Sequence, residues 1–196
     1  MKIGIFGGSF NPPHKMHKNI ALNLIKNKYL DKVIYVPTGN KYNKKDLIDA
    51  MDRYNMLKII IEGYKNLELS NYEIKNTLTY TYQTLNYFKR IYKNDEIYFI
   101  CGLDNLKEIT TWKNYEYILN NFKILVIKRN DIDINNILNN INSKNIIVTN
   151  IKLNNISSTN IRKNLQNKKT REIYNDIEKN VLKYIEKNNL YEIKKW

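Results

Sequence analysis

"KIGIFGGSFNPPHKMH" (Lys2–His17) decides how this chain is read. Its first residues, KIGIF (2–6), are short, apolar and partly β-branched, the mark of a buried strand. Gly7, Gly8 and Ser9 end that run, and prolines follow at 12 and 13. From Pro13 to Asn27, Met16, Ile20, Ala21, Leu24 and Ile25 recur at helical spacing. Strand, glycine turn and helix in direct succession open a βαβ unit.

The rest of the chain continues the alternation. Strands are expected at 32–37, 66–70, 96–102, 122–129 and 145–149. Helices are expected over 47–64, ending near Gly63, then 79–92, around Trp112 and Tyr115–Leu119, 133–142 and 157–166. A last helix sets Ile177, Val181, Tyr184 and Ile185 on one face. Strands alternating with helices predict an α/β fold: a mainly parallel sheet with helices on both faces. No linker or repeat interrupts it, so residues 1–196 are expected to form one domain with a helical C-terminal segment, 157–196. The asparagine-rich tract 130–155 keeps its apolar punctuation and is read as folded.

Composition narrows the function. Among 196 residues no run reaches the roughly 20 apolar residues of a membrane span. The lone Cys101 has no intrachain partner, which fits a reducing compartment. No signal-peptide pattern precedes Ile3, and the expectation is a cytoplasmic protein without a membrane partner. The net charge of +14 invites a nucleic-acid reading. Nucleic-acid binders cluster their basic residues on one face. Here lysines are spread among asparagine, isoleucine and tyrosine, so no nucleic-acid partner is expected. The residual positive field favours polyanionic ligands such as nucleotides. The oligomeric state stays open, a homo-oligomer included.

Ligands of open α/β sheets bind at the carboxyl ends of the strands, where Gly7-Gly8-Ser9-Phe10 falls. Glycines there let backbone N–H groups approach an anion, and the following helix points its positive end at the same place. His14 and His17, the only histidines, sit three apart and share a helix face. Neither G-x-x-x-x-G-K-[ST] nor G-x-G-x-x-G occurs, so no P-loop or dinucleotide fingerprint is present. A blander reading is a glycine turn, a proline-started helix and two ordinary histidines. Zinc fits poorly, because two histidines without cysteine partners make a weak structural site.

"GGSFNPPHKMH" (7–17) resembles the nucleotidyltransferase signature G-G-[ST]-F-[DN]-P-x-H-x-G-H, and "ISSTNIR" (156–162) resembles that superfamily's second signature. "TYTYQTL" (79–85), "ICGLDNLKEITTW" (100–112) and "VLKYIEKNNLY" (181–191) are similar to segments of the nicotinate-nucleotide adenylyltransferase branch. Two motifs in the right order are far more specific than either alone. Met16 stands where the family carries glycine; its flexible side chain is expected to turn onto the stripe with Ile20 and Leu24.

The resemblance implies a Rossmann-like nucleotidyltransferase fold and adenylyl transfer from ATP to nicotinate mononucleotide, with nicotinamide mononucleotide as a second acceptor. It implies that His14, His17 and Arg162 are catalytic. Gly7, Gly8, Ser9, Phe10, Gly102, Asp104, Ile156, Ser157, Ser158 and Thr159 would bind ATP. Thr79, Tyr80, Thr81 and Trp112 would bind the pyridine nucleotide. Lys41 and Lys44, in the basic loop, are candidate phosphate contacts. Mg²⁺ would arrive with ATP, and no metal site of the protein's own is expected. The alternatives are transfer to another phosphate acceptor, such as phosphopantetheine or glycerol phosphate, or a non-catalytic protein that binds nucleotide or nucleic acid. Taken singly, Ser157–Thr159 also read as a plain helix cap, Arg162 as a surface charge and Trp112 as core.

Overall fold

The computed structural model describes residues 1–41, 46–76, 79–128, 137–138, 141, 143–151 and 156–191. Six strands form one parallel sheet: β1 (Lys2–Gly8), β2 (Lys32–Pro37), β3 (Leu67–Leu69), β4 (Glu96–Gly102), β5 (Lys123–Ile127) and β6 (Ile146–Thr149). Their order is β3-β2-β1-β4-β5-β6. The chain therefore winds outward from β1 to one edge, then returns to start again at β4 on the other side. The crevice between β1 and β4 is the topological switch point of a doubly wound sheet. All six expected strands are present, and the α/β expectation holds. The fold is Rossmann-like.

The strands are near-continuous apolar runs because both faces of the sheet are covered. Successive residues of β2 illustrate this: Val33 and Tyr35 enter one core cluster, Ile34 and Val36 the other. On the first face lie α1 (Lys15–Lys26) and α2 (Ala50–Ile61), with Leu24 and Leu57 fully buried. The opposite face carries α4 (Thr81–Ile91), α5 (Leu103–Glu108) and α6 (Tyr115–Asn121), through Leu85, Leu106 and Ile118. A one-turn helix, α3 (Tyr72–Lys75), precedes α4, and a 3₁₀ turn (Ile109–Thr111) joins α5 to Trp112.

The C-terminal segment supplies α7 (Ser158–Gln166) and α8 (Lys179–Lys187). Ile177, Val181 and Ile185 join the first core cluster, as their spacing predicts. Polar contacts fix the docking. The Tyr184 hydroxyl donates to Asp52 Oδ1 at 2.8 Å, Asp176 O accepts from the Lys15 amide at 2.9 Å, and Lys18 pairs with Glu178. The expected helix over 47–64 is shorter, Ala50–Ile61, with Asp49 capping its start through the Met51 amide. Gly63 follows at φ +84, where glycine carries no Cβ penalty. The helix expected over 133–142 falls mostly outside the described residues.

Candidate active site

The carboxyl ends of β1, β2, β4 and β5 open into one cavity of about 740 Å³. Gly7, Gly8, Ser9 and Phe10 form its floor at the end of β1. Phe10 takes a left-handed φ of 46°. That conformation is costly for a bulky residue and is held by packing. The Phe10 ring is buried edge-on against Phe6 and Tyr35 at 5.5 and 5.8 Å. A Cβ on Gly8 would press on that ring at 3.2 Å. Glycine at this position thus makes room for Phe10, in addition to exposing backbone.

His14 is the N-cap of α1 and is buried. Its amide donates to His17 Nδ1 at 3.1 Å. A nitrogen that accepts a hydrogen bond carries no proton, so the neutral His17 ring holds its proton on Nε2 and is a donor there. The two imidazoles stack with centroids 3.8 Å apart, and the His17 ring meets the edge of Phe10 at 5.0 Å. Tyr35, pushed to a higher pKa by burial, donates its hydroxyl to the His17 carbonyl at 3.0 Å. Both histidines line the cavity.

The second motif closes onto the first. Ser158 Oγ donates to Pro12 O at 2.9 Å and Arg162 Nη1 donates to Asn11 O at 2.8 Å, across 146 and 151 residues of sequence. Ser157 is the N-cap of α7 but makes no side-chain cap bond among the described residues. The first amides of α7 therefore receive no cap bond from the Ser157 side chain. Ser157, Ser158, Thr159 and Arg162 all line it. Met16 does not. It is buried with Ile20 and Leu24 in the first core cluster, as expected for a flexible apolar side chain.

Two residues that hold this loop were not read from sequence. Arg53 is fully buried in α2. It donates to Ser9 O (2.8 Å), Thr38 O (2.6 Å), Thr38 Oγ1 (3.2 Å) and Ile48 O (3.1 Å). Burial lowers its pKa, and Asp49 and Glu73 counter that. Its signal was available: Ala50, Arg53, Leu57 and Ile60 form one helical stripe, and a cation in an apolar stripe is a buried one. Asn11 is the second. It donates Nδ2 to Asp46 O at 2.7 Å and accepts the Tyr191 hydroxyl at 2.9 Å, tying the C-terminal segment to the first motif. Nothing local in the sequence announces that pair.

The far part of the cavity is built by the start of α4 and the turn after α5. Thr79, Tyr80, Thr81, Trp112, Gly102 and Asp104 line it. Tyr80 caps α4, its amide bonded to Gln83 Oε1 at 2.9 Å. Trp112 is half-buried, edge-on to Phe99 at 5.9 Å, so it is partly core and partly cavity wall. Glu73 also lines the cavity. Burial pushes its carboxyl up to about 7, while the Thr84 hydroxyl at 2.6 Å and Arg53 hold it down. A Cβ on Gly39 would strike the Glu73 carbonyl oxygen, so glycine there sets the approach of α3.

Not every candidate converges. The Ile156 side chain is in the first core cluster and does not line the cavity. Lys41 is exposed and does not line the cavity, and Lys44 lies outside the described residues. Among the described residues no three His, Cys, Asp or Glu side chains are grouped to hold a metal, and no helix is long and apolar enough to cross a membrane.

Known proteins match this arrangement. The cytidylyltransferase-like family model matches residues 5–164. A probable nicotinate-nucleotide adenylyltransferase of Clostridium perfringens is 43% identical over 140 residues, 70% of this chain and 69% of the relative. One from Fusobacterium nucleatum is 40% identical over 193 residues, 95% of this chain and 98% of the relative. Among solved structures, Plasmodium falciparum nicotinic acid mononucleotide adenylyltransferase superposes with a TM-score of 0.80 at 25% identity, covering 97% of both chains. That structure is a complex with NaAD. Similarity of that extent places this chain in the nicotinate-nucleotide adenylyltransferase family of cytidylyltransferase-like proteins.

Proposed function

We propose that the chain transfers the adenylyl group of ATP to nicotinate mononucleotide, giving nicotinate adenine dinucleotide and pyrophosphate in NAD biosynthesis. The observation that carries this reading is the closure of the second motif on the first. Arg162 and Ser158 bond to Asn11 and Pro12, which brings His14, His17 and the start of α7 to one cavity.

The nucleophile is a phosphate oxygen, already anionic at neutral pH, so no general base is required. A P–O bond forms to the α-phosphorus of ATP while the bond to the β-bridging oxygen breaks and pyrophosphate leaves. The difficulty is crowding of negative charge around the α-phosphorus. Catalysis is therefore positioning plus electrostatic stabilisation. His17 Nε2–H is a preorganised donor to those oxygens, since its Nδ1 is already engaged. His14 stacks on it at the N-terminus of α1. The α7 amides and the Arg162 guanidinium serve the β- and γ-phosphates, the latter as a fixed planar fork.

On this reading Gly102 and Asp104 would meet the adenosine, and Trp112 with Thr79–Thr81 would hold the pyridine ring. Mg²⁺ would travel with the triphosphate, held chiefly by phosphate oxygens and neutralising them. The chain's own residues fit that arrangement: among the described residues no three His, Cys, Asp or Glu side chains are grouped to hold a metal ion by themselves. Residues 1–196 act on this reading as one cytoplasmic nucleotidyltransferase unit.

Pyrophosphate release from Mg·ATP with nicotinate mononucleotide tests the proposal. Release that needs both substrates is the expected result. Release only with phosphopantetheine or glycerol phosphate, or none at all, would overturn it.

A further inference from the structure

Tyr191 is buried and has no role in the reaction described above. The end of α8 delivers its ring. There the Leu190 amide donates to Ile185 O at 3.0 Å, and Asn189 and Tyr191 take left-handed φ values of 50° and 67°. A bulky residue keeps that conformation where its surroundings hold it. A buried phenol needs a hydrogen-bond partner, and this one has Asn11 Oδ1 at 2.9 Å. The far side of the amide fixes the direction of the bond. Asn11 Nδ2 lies 2.7 Å from Asp46 O, which can only accept, so Oδ1 faces Tyr191 and the phenol donates. The Ile48 amide, at 3.5 Å from Oδ1, is too distant to hold that oxygen alone.

Asn11 and Tyr191 do not line the cavity. They reach it through Arg162, which lines it and donates Nη1 to Asn11 O at 2.8 Å. A guanidinium is a rigid planar fork, so a bond at one edge sets where its other N–H groups point. The place of the Asn11 carbonyl therefore decides how Arg162 faces a ligand. That place is set by the Asn11 side chain, clamped between Asp46 and Tyr191. Phenylalanine at 191 would fill the same space and leave one side of the clamp open. The hydroxyl thus orients, and the ring packs.

We infer that Tyr191 is a positioning residue whose hydroxyl, acting through Asn11, sets the angle at which Arg162 meets the triphosphate. The inference rests on the adenylyl-transfer reading above. Tyr191→Phe should lower kcat/KM for Mg·ATP about tenfold and leave KM for nicotinate mononucleotide within about twofold, because one misplaced cation acts on one substrate. In an Arg162→Ala background the same change should add less than about twofold, since the hydroxyl then has no cation to place. Ile185→Val, in the core of α8, is the stability control: it should lower the melting temperature and leave both substrates unaffected. An unchanged kcat/KM in Tyr191→Phe, equal weakening of both substrates, or losses that multiply with Arg162→Ala overturn the inference. Mg·ATP affinity, measured by calorimetry on the intact protein, separates the two levels. A wild type that binds Mg·ATP but releases no pyrophosphate with nicotinate mononucleotide defeats the adenylyl-transfer reading. A loss of Mg·ATP affinity in Tyr191→Phe, present with Arg162 and absent without it, still supports the role of Tyr191, and an unchanged affinity overturns it. A wild type that does not bind Mg·ATP overturns both.

Discussion

The two ends of the cavity are held by different means. At the phosphate end, His14 and Asn11 are buried, and Arg53, Ser158, Arg162 and Tyr191 bind the loop after β1 from four directions. At the pyridine end, Tyr80 and Lys113 are exposed and meet through a ring face, and Trp112 is half-buried. Hydrogen bonds over long sequence separations fix the first end before any ligand arrives. Aromatic contacts and local hydrogen bonds shape the second. Charge stabilisation in a transition state needs donors that do not reorganise, while recognition of a flat ring tolerates small shifts. Changes at the first end should strike turnover or stability, and changes at the second should strike one substrate.

The largest effect is expected at His17. His17→Ala removes the Nε2 donor and should lower kcat about 10³–10⁴-fold, the scale of losing a principal phosphoryl-transfer donor. Circular dichroism and the melting temperature should change little. A rate near wild type would show that the phosphate end does not work through this imidazole.

Arg53→Met is next. It strips buried carbonyl oxygens of Ser9, Thr38 and Ile48 of their donor and should cost about 3–4 kcal/mol in urea unfolding. A loss below about 1 kcal/mol would mean that the loop is self-supporting and the contrast between the ends is weaker than drawn.

Glu73 sits between the two ends and gives a pH test. Its carboxyl is held near 7 in the fold against an ordinary value of 4.5. The folded state therefore binds more protons than the unfolded state between those values, and stability falls as pH rises through that window. Ionisation carries no penalty below about 4.5, where both states are protonated, and the penalty is complete above about 7, on the order of 3 kcal/mol. Glu73→Gln should flatten the fall in melting temperature from pH 5 to 8 relative to wild type. Parallel curves would show that Arg53 and Thr84 keep Glu73 ionised throughout.

The difference between the ends also explains what the sequence revealed. The strands were legible because each is a short β-branched run between turn residues, such as KVIYVP before Thr38. The phosphate end was legible as motif, since glycine pairs, spaced histidines and a serine–threonine helix start are uncommon in combination. Its buttresses were not, because Asn11 and Tyr191 meet across 180 residues and carry no local pattern. The helices α3 and α5, of four and six residues, are too short to display a 3.6-residue period.

Trp112 offers the smallest and most discriminating effect. Its ring both packs on Phe99 and borders the cavity, so the substitution Trp112→Ala removes a stacking surface and some core contact together. The two losses have different signatures. Lost stacking should raise KM for the pyridine nucleotide about tenfold and leave KM for ATP within about twofold, because only one substrate has a ring there. Lost core packing should lower the melting temperature and weaken both substrates alike. Trp112→Phe separates them further: a smaller ring retains a face for stacking and the edge contact to Phe99, so most of the pyridine affinity should return. If both substrates weaken together and phenylalanine restores only the melting temperature, Trp112 belongs to the core, and the pyridine end must be built by Tyr80 and its neighbours on α4.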